Sequence, residues 1–122
     1  MSKVVLIVED NTLNLKVIRD LLQVSGYTTL EATDGKQGIA LAKAEKPDLI
    51  LMDIQMPVMD GLEATRILKA EAETKDIPIV ALTSYAMTGD EERIKTAGCD
   101  GYVTKPIDTR NFLKELKRYL QE

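Results

Sequence analysis

The stretch that most restricts the fold is 49–52, a run of apolar residues that ends in the carboxylate of Asp53. A strand without polar interruption is buried on both faces, which is typical of a parallel sheet covered by helices on either side. An ionised aspartate at the end of such a strand is costly unless a positive group lies beside it. The rest of the chain therefore has to supply that positive group.

Apolar runs and helical patterns alternate along the whole chain. We expect strands over residues 4–8, 27–32, 49–53, 77–82 and 101–104. We expect helices over residues 12–24, 36–44, 62–72 and 88–97, and a last helix capped by Asp108 or Thr109. Strict alternation predicts an α/β fold, a doubly wound (βα)5 parallel sheet with helices on both faces, in a single domain over residues 1–122.

The composition excludes several classes of function. The net charge of −4 argues against bulk attraction to nucleic acid or to a membrane surface. The absence of histidine removes histidine acid–base catalysis, Ser-His pairs and histidine-ligated zinc. The single cysteine, Cys99, cannot form an internal disulfide, and no apolar run approaches the roughly 20 residues of a membrane span. We therefore expect a cytoplasmic protein.

Polar residues follow the predicted strands at the edge where doubly wound sheets bind their ligands. Glu9 and Asp10 follow the first strand, Asp53 ends the third, Thr83 follows the fourth and Lys105 follows the fifth. Three carboxylates without histidine or cysteine favour a hard ion such as Mg²⁺. A phosphate group fits between such an ion and Lys105, and a carboxylate can act as a phosphoryl nucleophile.

Each of these residues also has a plain structural explanation. Asp10 or Asn11 could be the N-cap of the first helix, and an aspartate such as Asp53 often serves in a turn. Lys105 before Pro106 is uninformative by itself. What favours a site is that all of them fall at one edge of one predicted sheet.

Five motifs then occur in order: Val-Glu-Asp-Asn at 8–11, Leu-Met-Asp-Ile-Gln-Met-Pro at 51–57, Met-Asp-Gly at 59–61, Ala-Leu-Thr-Ser at 81–84 and Thr-Lys-Pro-Ile at 104–107. With these motifs essentially the whole chain resembles a response-regulator receiver domain of two-component signalling. The resemblance implies the flavodoxin-like strand order 2-1-3-4-5. Glu-Asp-Asn-x-Leu-Asn in the first helix and Gly-Asp-Glu-Glu-Arg-Ile at 89–94 are similar to DivK-type single-domain regulators, which have no output domain.

The resemblance also implies the chemistry. Asp53 would accept a phosphoryl group from a phosphohistidine on a histidine kinase or a histidine phosphotransfer protein, and the donor must act in trans because this chain has no histidine. Glu9 and Asp10 would hold Mg²⁺, Asp10 directly and Glu9 through water. Asp53 and the backbone carbonyl of Gln55 would be further ligands. A chain of this kind is a phosphoacceptor with at most weak self-catalysed phosphotransfer and autodephosphorylation, and not an enzyme.

A conformational switch is implied as well. Lys105 would pair with the phosphoryl oxygens, Thr83 would move toward them, and Tyr102 would turn inward or outward with the state. The change would remodel the face formed by the fourth helix, fifth strand and fifth helix, where a downstream protein target binds. The Lys105–Pro106 bond would be cis.

Three alternatives stay open. The chain could be a phosphorylation-independent pseudo-receiver, a receiver fragment of a hybrid kinase or transcriptional regulator, or a haloacid-dehalogenase-like phosphatase. The last requires a second aspartate at the position of Gln55. Gln55 and Tyr85 lie where the family varies and are expected to tune the phosphoryl lifetime. On the first helix, Leu13 with Val17 either meets a kinase helix or is buried under a neighbouring loop.

Overall fold

The computed structural model describes residues 3–56, 58–84 and 88–121. The strands in these ranges are β1 Val4–Val8, β2 Thr28–Ala32, β3 Leu49–Asp53, β4 Ile79–Thr83 and β5 Gly101–Thr104. The helices are α1 Thr12–Val24, α2 Gly35–Glu45, α3 Gly61–Ala70, α4 Thr88–Ala97 and α5 Phe112–Leu120. The elements alternate as the sequence predicts.

All neighbouring strands are parallel, in the order β2-β1-β3-β4-β5, which confirms the predicted sheet. The register pairs Asp53 with Leu82 and Thr83 with Thr104. The last residues of β3, β4 and β5 therefore lie along one edge of the sheet, and the loops that follow them meet there.

The sheet is covered on both faces, and its central strand β3 is fully buried. Since successive side chains of a strand point to opposite faces, Leu49 and Leu51 face one layer and Ile50 and Met52 the other. The first layer contains the apolar residues of α1 and α5, and the second contains those of α2 and α3. Ile94 and Ala97 attach α4 to a smaller cluster with Ile54 and Leu62. Burial of β3 on both faces thus explains the apolar run at 49–52, as predicted.

Several predicted boundaries differ by one or two residues. Tyr27 does not belong to β2, because its N–H donates to Leu22 O at 3.1 Å and closes the end of α1. β4 begins at Ile79 rather than at residue 77, after Pro78, which has no N–H to donate. α2 spans Gly35–Glu45 rather than 36–44, and α3 spans Gly61–Ala70 rather than 62–72 because Glu71 turns to extended backbone.

The predicted cap of the last helix is wrong. α5 begins at Phe112 with Asn111 at the N-cap, and the Asn111 side chain makes no capping bond. Asp108 stabilises the preceding turn instead, since its carboxylate accepts hydrogen bonds from the Arg110 N–H at 3.1 Å and from Asn111 Nδ2 at 2.8 Å. Thr109 lies within that turn.

Candidate functional site

A cleft opens at the carboxyl-terminal edge of the sheet, where the sequence predicts the site. Its lining comprises Glu9, Asp10, Asn11, Asn14, Asp53, Gln55, Ser84 and Lys105. The strand ends thus bring together the three predicted carboxylates and the predicted lysine. Thr83 is buried beside the cleft at the end of β4.

Lys105 supplies the positive group that a buried Asp53 requires. Its Nζ lies 3.2 Å from Asp53 Oδ2. The same Nζ donates to Glu9 Oε1 at 3.1 Å and lies 3.0 Å from Glu9 Oε2. The backbone holds this lysine in place, because its N–H donates to Thr83 O at 2.7 Å. One ammonium thus lies between two carboxylates that are almost completely removed from water and balances only part of their negative charge. The Lys105–Pro106 peptide bond is cis, as the resemblance implies.

Asp53 is only 3% exposed. Burial raises the pKa of its carboxyl from the ordinary 3.8 to about 6. The Gln55 N–H, which donates to Asp53 Oδ1 at 3.1 Å, lowers this pKa. The negative charge of Glu9 raises it and the ammonium of Lys105 lowers it. The excess of negative charge around Asp53 is therefore only partly balanced by the chain itself.

The same residues fit a hard cation. Glu9, Asp10 and Asp53 each offer a carboxylate oxygen, and these oxygens lie within 4.8 Å of one another. Glu9 is completely buried, yet its Oε2 receives no hydrogen bond from any described residue. Oxygen donors without nitrogen or sulfur suit Mg²⁺. The single ammonium of Lys105 faces the buried carboxylates of both Glu9 and Asp53, and this leaves an excess of negative charge that a divalent cation would neutralise.

The two predicted switch residues differ in their exposure to water. Thr83 is buried at the end of β4, whereas Tyr102 is exposed. Tyr102 lies outward on β5, where it is 40% exposed and its O–H donates to the Glu91 carboxylate on α4. This hydrogen bond raises the pKa of the Tyr102 phenol. Tyr85 lies outside the described residues, and the Gln55 side chain is exposed at the mouth of the cleft.

Sequence reasoning did not assign Asn11 and Asn14 to the site, although both line the cleft. Asn14 lies in the first turn of α1, and its Nδ2 donates to Glu9 Oε1 at 3.3 Å. Residues three apart share one face of a helix, so its spacing from the N-cap Asn11 was the available signal.

On the same helix Leu13 is 69% exposed, which contradicts burial under a neighbouring loop.

The comparisons with known proteins agree with this geometry. The family model of the response regulator receiver domain matches residues 5–117. The polar-differentiation response regulators DivK of Brucella anthropi and Brucella ovis are each 50% identical over 120 residues, which is 98% of this chain and 98% of each relative.

Solved structures with the same fold include two receiver proteins. The receiver domain of sensor histidine kinase PA1611 from Pseudomonas aeruginosa is 36% identical with a TM-score of 0.92, and the alignment covers 100% of both chains. Its structure contains a magnesium ion coordinated in the active-site cleft. Chemotaxis protein CheY4 of Vibrio cholerae is 30% identical with a TM-score of 0.92, over 98% of this chain and 99% of that one.

The described part of the chain contains no helix with the length and apolar character needed to cross a membrane. The matched family covers nearly the whole sequence, and the cleft contains the residues that carry the resemblance. The chain therefore belongs to the response-regulator receiver domains of two-component signalling and is similar to DivK over nearly its full length.

Proposed function

We propose that the protein is a phosphorylation-activated signalling switch in which Asp53 accepts a phosphoryl group in an Mg²⁺-dependent reaction. The observation that carries this proposal is the Asp53 carboxylate, buried at the sheet edge with Lys105 Nζ 3.2 Å away and two further carboxylates beside it. With a pKa of about 6, Asp53 is mainly ionised at neutral pH and can act as the nucleophile.

In the proposed reaction an Asp53 oxygen forms a P–O bond while the P–N bond of the donor phosphohistidine breaks. The bonding electron pair leaves on the imidazole nitrogen of the donor. Lys105 neutralises negative charge on the transferring group. Once the phosphoryl group is attached, Lys105 has to divide its contacts between Glu9 and the new phosphoryl oxygens.

Mg²⁺, when bound, would supply positive charge to the transferring group. Glu9, Asp10, Asp53 and the Gln55 backbone carbonyl would hold it, with Asp10 as a direct ligand. The magnesium in the PA1611 receiver domain supports this assignment.

The proposed donor is a histidine kinase or a histidine phosphotransfer protein, because receiver domains work with such partners. We propose a phosphoacceptor rather than a haloacid-dehalogenase-like phosphatase, because the position two residues after Asp53 holds the amide Gln55 and not the second aspartate that such a phosphatase requires. The proposed compartment is the cytoplasm, where the free thiol of Cys99 remains reduced.

The phosphoacceptor is tested by intact-mass measurement after incubation with acetyl phosphate and Mg²⁺. We expect one phosphoryl adduct on the wild-type chain and none on Asp53→Ala or without Mg²⁺. Asp60→Ala is the matched control, since Asp60 is an exposed N-cap outside the cleft. If neither acetyl phosphate nor a cognate phosphohistidine donor gives an adduct, the phosphorylation-independent pseudo-receiver becomes the better proposal.

The second part of the proposal is the switch itself. The Tyr102–Glu91 hydrogen bond joins β5 to α4. Thr83 lies buried at the end of β4, the strand between β3, which ends at Asp53, and β5, which carries Tyr102. Phosphorylation would favour the conformer in which Thr83 and Tyr102 turn inward, and Tyr102 would then release Glu91. The face formed by α4, β5 and α5 would change and be recognised by a downstream target.

We expect beryllofluoride with Mg²⁺, as a phosphoryl mimic, to shift the backbone amide resonances of residues 83–101. The largest changes should fall near Tyr102 and Glu91, because their hydrogen bond breaks. Heteronuclear NMR of the labelled protein measures this, and resonances of the second half of α2, which packs against β1, β2 and α3, are the internal control. Unchanged resonances over residues 83–101 would contradict the switch while leaving the phosphoacceptor intact.

A further inference from the structure

Asn14 lines the cleft but has no part in the proposed phosphoryl transfer. Its backbone N–H donates to the Asn11 side chain at 3.0 Å, which fixes the first turn of α1. Its own side chain extends from that turn to Glu9, with Nδ2 3.3 Å from Oε1. A rigid helix end thus presents an amide donor to a completely buried carboxylate.

The two oxygens of Glu9 have different surroundings. Oε1 accepts from Asn14 Nδ2 and from Lys105 Nζ. Oε2 lies 3.0 Å from Lys105 Nζ but receives no hydrogen bond from any described residue. Lys105 also pairs with Asp53, so its hold on Glu9 is shared. Asn14 is a neutral donor whose position does not depend on the charge of Asp53.

We propose that Asn14 is a positioning residue of the cation site, which fixes the Glu9 carboxylate so that Oε2 stays available to Mg²⁺. The inference rests on the proposed Mg²⁺-dependent function. Partners that orient a metal ligand typically change metal affinity by about 10- to 100-fold when they are removed. Because the 3.3 Å hydrogen bond is long, we expect a loss of about tenfold.

The test is a calorimetric titration with Mg²⁺ alone, without a phosphodonor, at pH 7.5. Asn14→Leu removes the amide and keeps the size, and Asn14→Ala provides a second variant with high helix propensity. Both should bind Mg²⁺ about tenfold more weakly than the wild-type chain. Gln23→Leu is the matched control, because Gln23 is on the same helix and its amide donates to Thr29 Oγ1, away from the cleft. Its Mg²⁺ affinity should equal that of the wild type.

A double-mutant cycle shows whether Asn14 acts through Glu9. In a Glu9→Gln background, Asn14→Leu should cause little further loss of Mg²⁺ affinity, because the carboxylate that it orients is gone. A full tenfold loss in that background would overturn the inference.

The remaining outcomes separate this inference from the proposed function. Equal Mg²⁺ affinity of the wild type and both Asn14 variants would overturn the role of Asn14 and leave the phosphoacceptor standing. A wild-type chain that binds no Mg²⁺ would overturn the metal requirement and this inference together. A comparable loss in Gln23→Leu would assign the effect to α1 stability and also refute the inference.

Discussion

Gly61→Ala is expected to lower the free energy of unfolding by about 3 kcal/mol, at the upper end of what overpacking usually costs. Gly61 is the first residue of α3, directly behind the strand that ends at Asp53. A Cβ on Gly61 would lie 2.1 Å from the Asp53 carbonyl oxygen and 2.8 Å from Ile54 Cα. Both are backbone atoms of the sheet edge, so α3 itself would have to move.

Pairing with β4 holds the backbone of Asp53 and Ile54 in place. Asp53 pairs with Leu82, and the Ile54 N–H donates to Leu82 O at 3.2 Å. Moving the start of α3 also lengthens the hydrogen bond that the Gly61 N–H donates to Ile54 O, which is already 3.3 Å long. Urea unfolding followed by circular dichroism measures the loss, and we also expect weaker Mg²⁺ binding because Asp53 shifts.

Gly101→Ala is the matched control for this clash. A Cβ there would lie 2.0 Å from the Tyr119 hydroxyl oxygen, as close as the contact at Gly61. The obstacle is the far end of a flexible side chain, which can rotate away, so the cost should be clearly smaller. Equal losses in the two variants would mean that the contact distance decides the cost and the nature of the atom does not.

The fold was predictable because its main determinants are local patterns. The run at 49–52 indicates a strand buried on both faces, and five alternating units leave few topologies for a parallel sheet. The site followed from the fold, since Asp53, Thr83 and Lys105 end or follow strands whose carboxyl ends meet at one edge. Boundaries failed where a single hydrogen bond decides them, as at Tyr27, whose N–H completes the α1 terminus.

Side-chain partners were beyond sequence reasoning. Tyr102 bonds Glu91, which is 11 residues earlier in the chain, and Lys105 pairs with Glu9, which is 96 residues away. These pairs depend on rotamers that only the packed structure selects. Asn14 was missed for a related reason, because reasoning from strand ends does not reach a residue one turn inside a helix.

Lys105→Met is expected to destabilise the chain by about 3 kcal/mol at pH 8 in the absence of divalent cations, the lower end of the cost of leaving a buried charge unpaired. Lys105 Nζ lies within 3.2 Å of carboxylate oxygens of both Glu9 and Asp53, and both residues are buried. Methionine fills a similar space but carries no charge. The backbone anchor of Lys105 on Thr83 remains, so the loss is electrostatic.

This loss should depend on pH in a defined direction. Asp53 has a pKa of about 6 in the folded chain and an ordinary value of 3.8, which we take for the unfolded chain. Between pH 3.8 and about 6 the folded chain therefore binds more protons than the unfolded chain. The contribution of Asp53 to stability therefore falls as pH rises through this window. Because Lys105 lowers the pKa of Asp53, its removal raises that pKa further, and the fall continues above pH 6. The difference between the wild type and Lys105→Met should thus be larger at pH 8 than at pH 5, where the unpaired Glu9 carboxylate still contributes a loss.

Lys69→Met separates this electrostatic effect from the loss of any half-buried lysine. Lys69 Nζ donates to Lys75 O, Ile77 O and Asp100 Oδ2, and the Asp100 side chain is 42% exposed. Its removal should destabilise the chain by a similar amount at pH 8 and pH 5, because no buried carboxylate changes its protonation.

Urea unfolding at the two pH values, with and without Mg²⁺, measures all of these differences. Mg²⁺ should restore stability to Lys105→Met by replacing the missing positive charge and should not rescue Lys69→Met. A pH-independent loss in Lys105→Met would mean that the three charges at the sheet edge are not coupled.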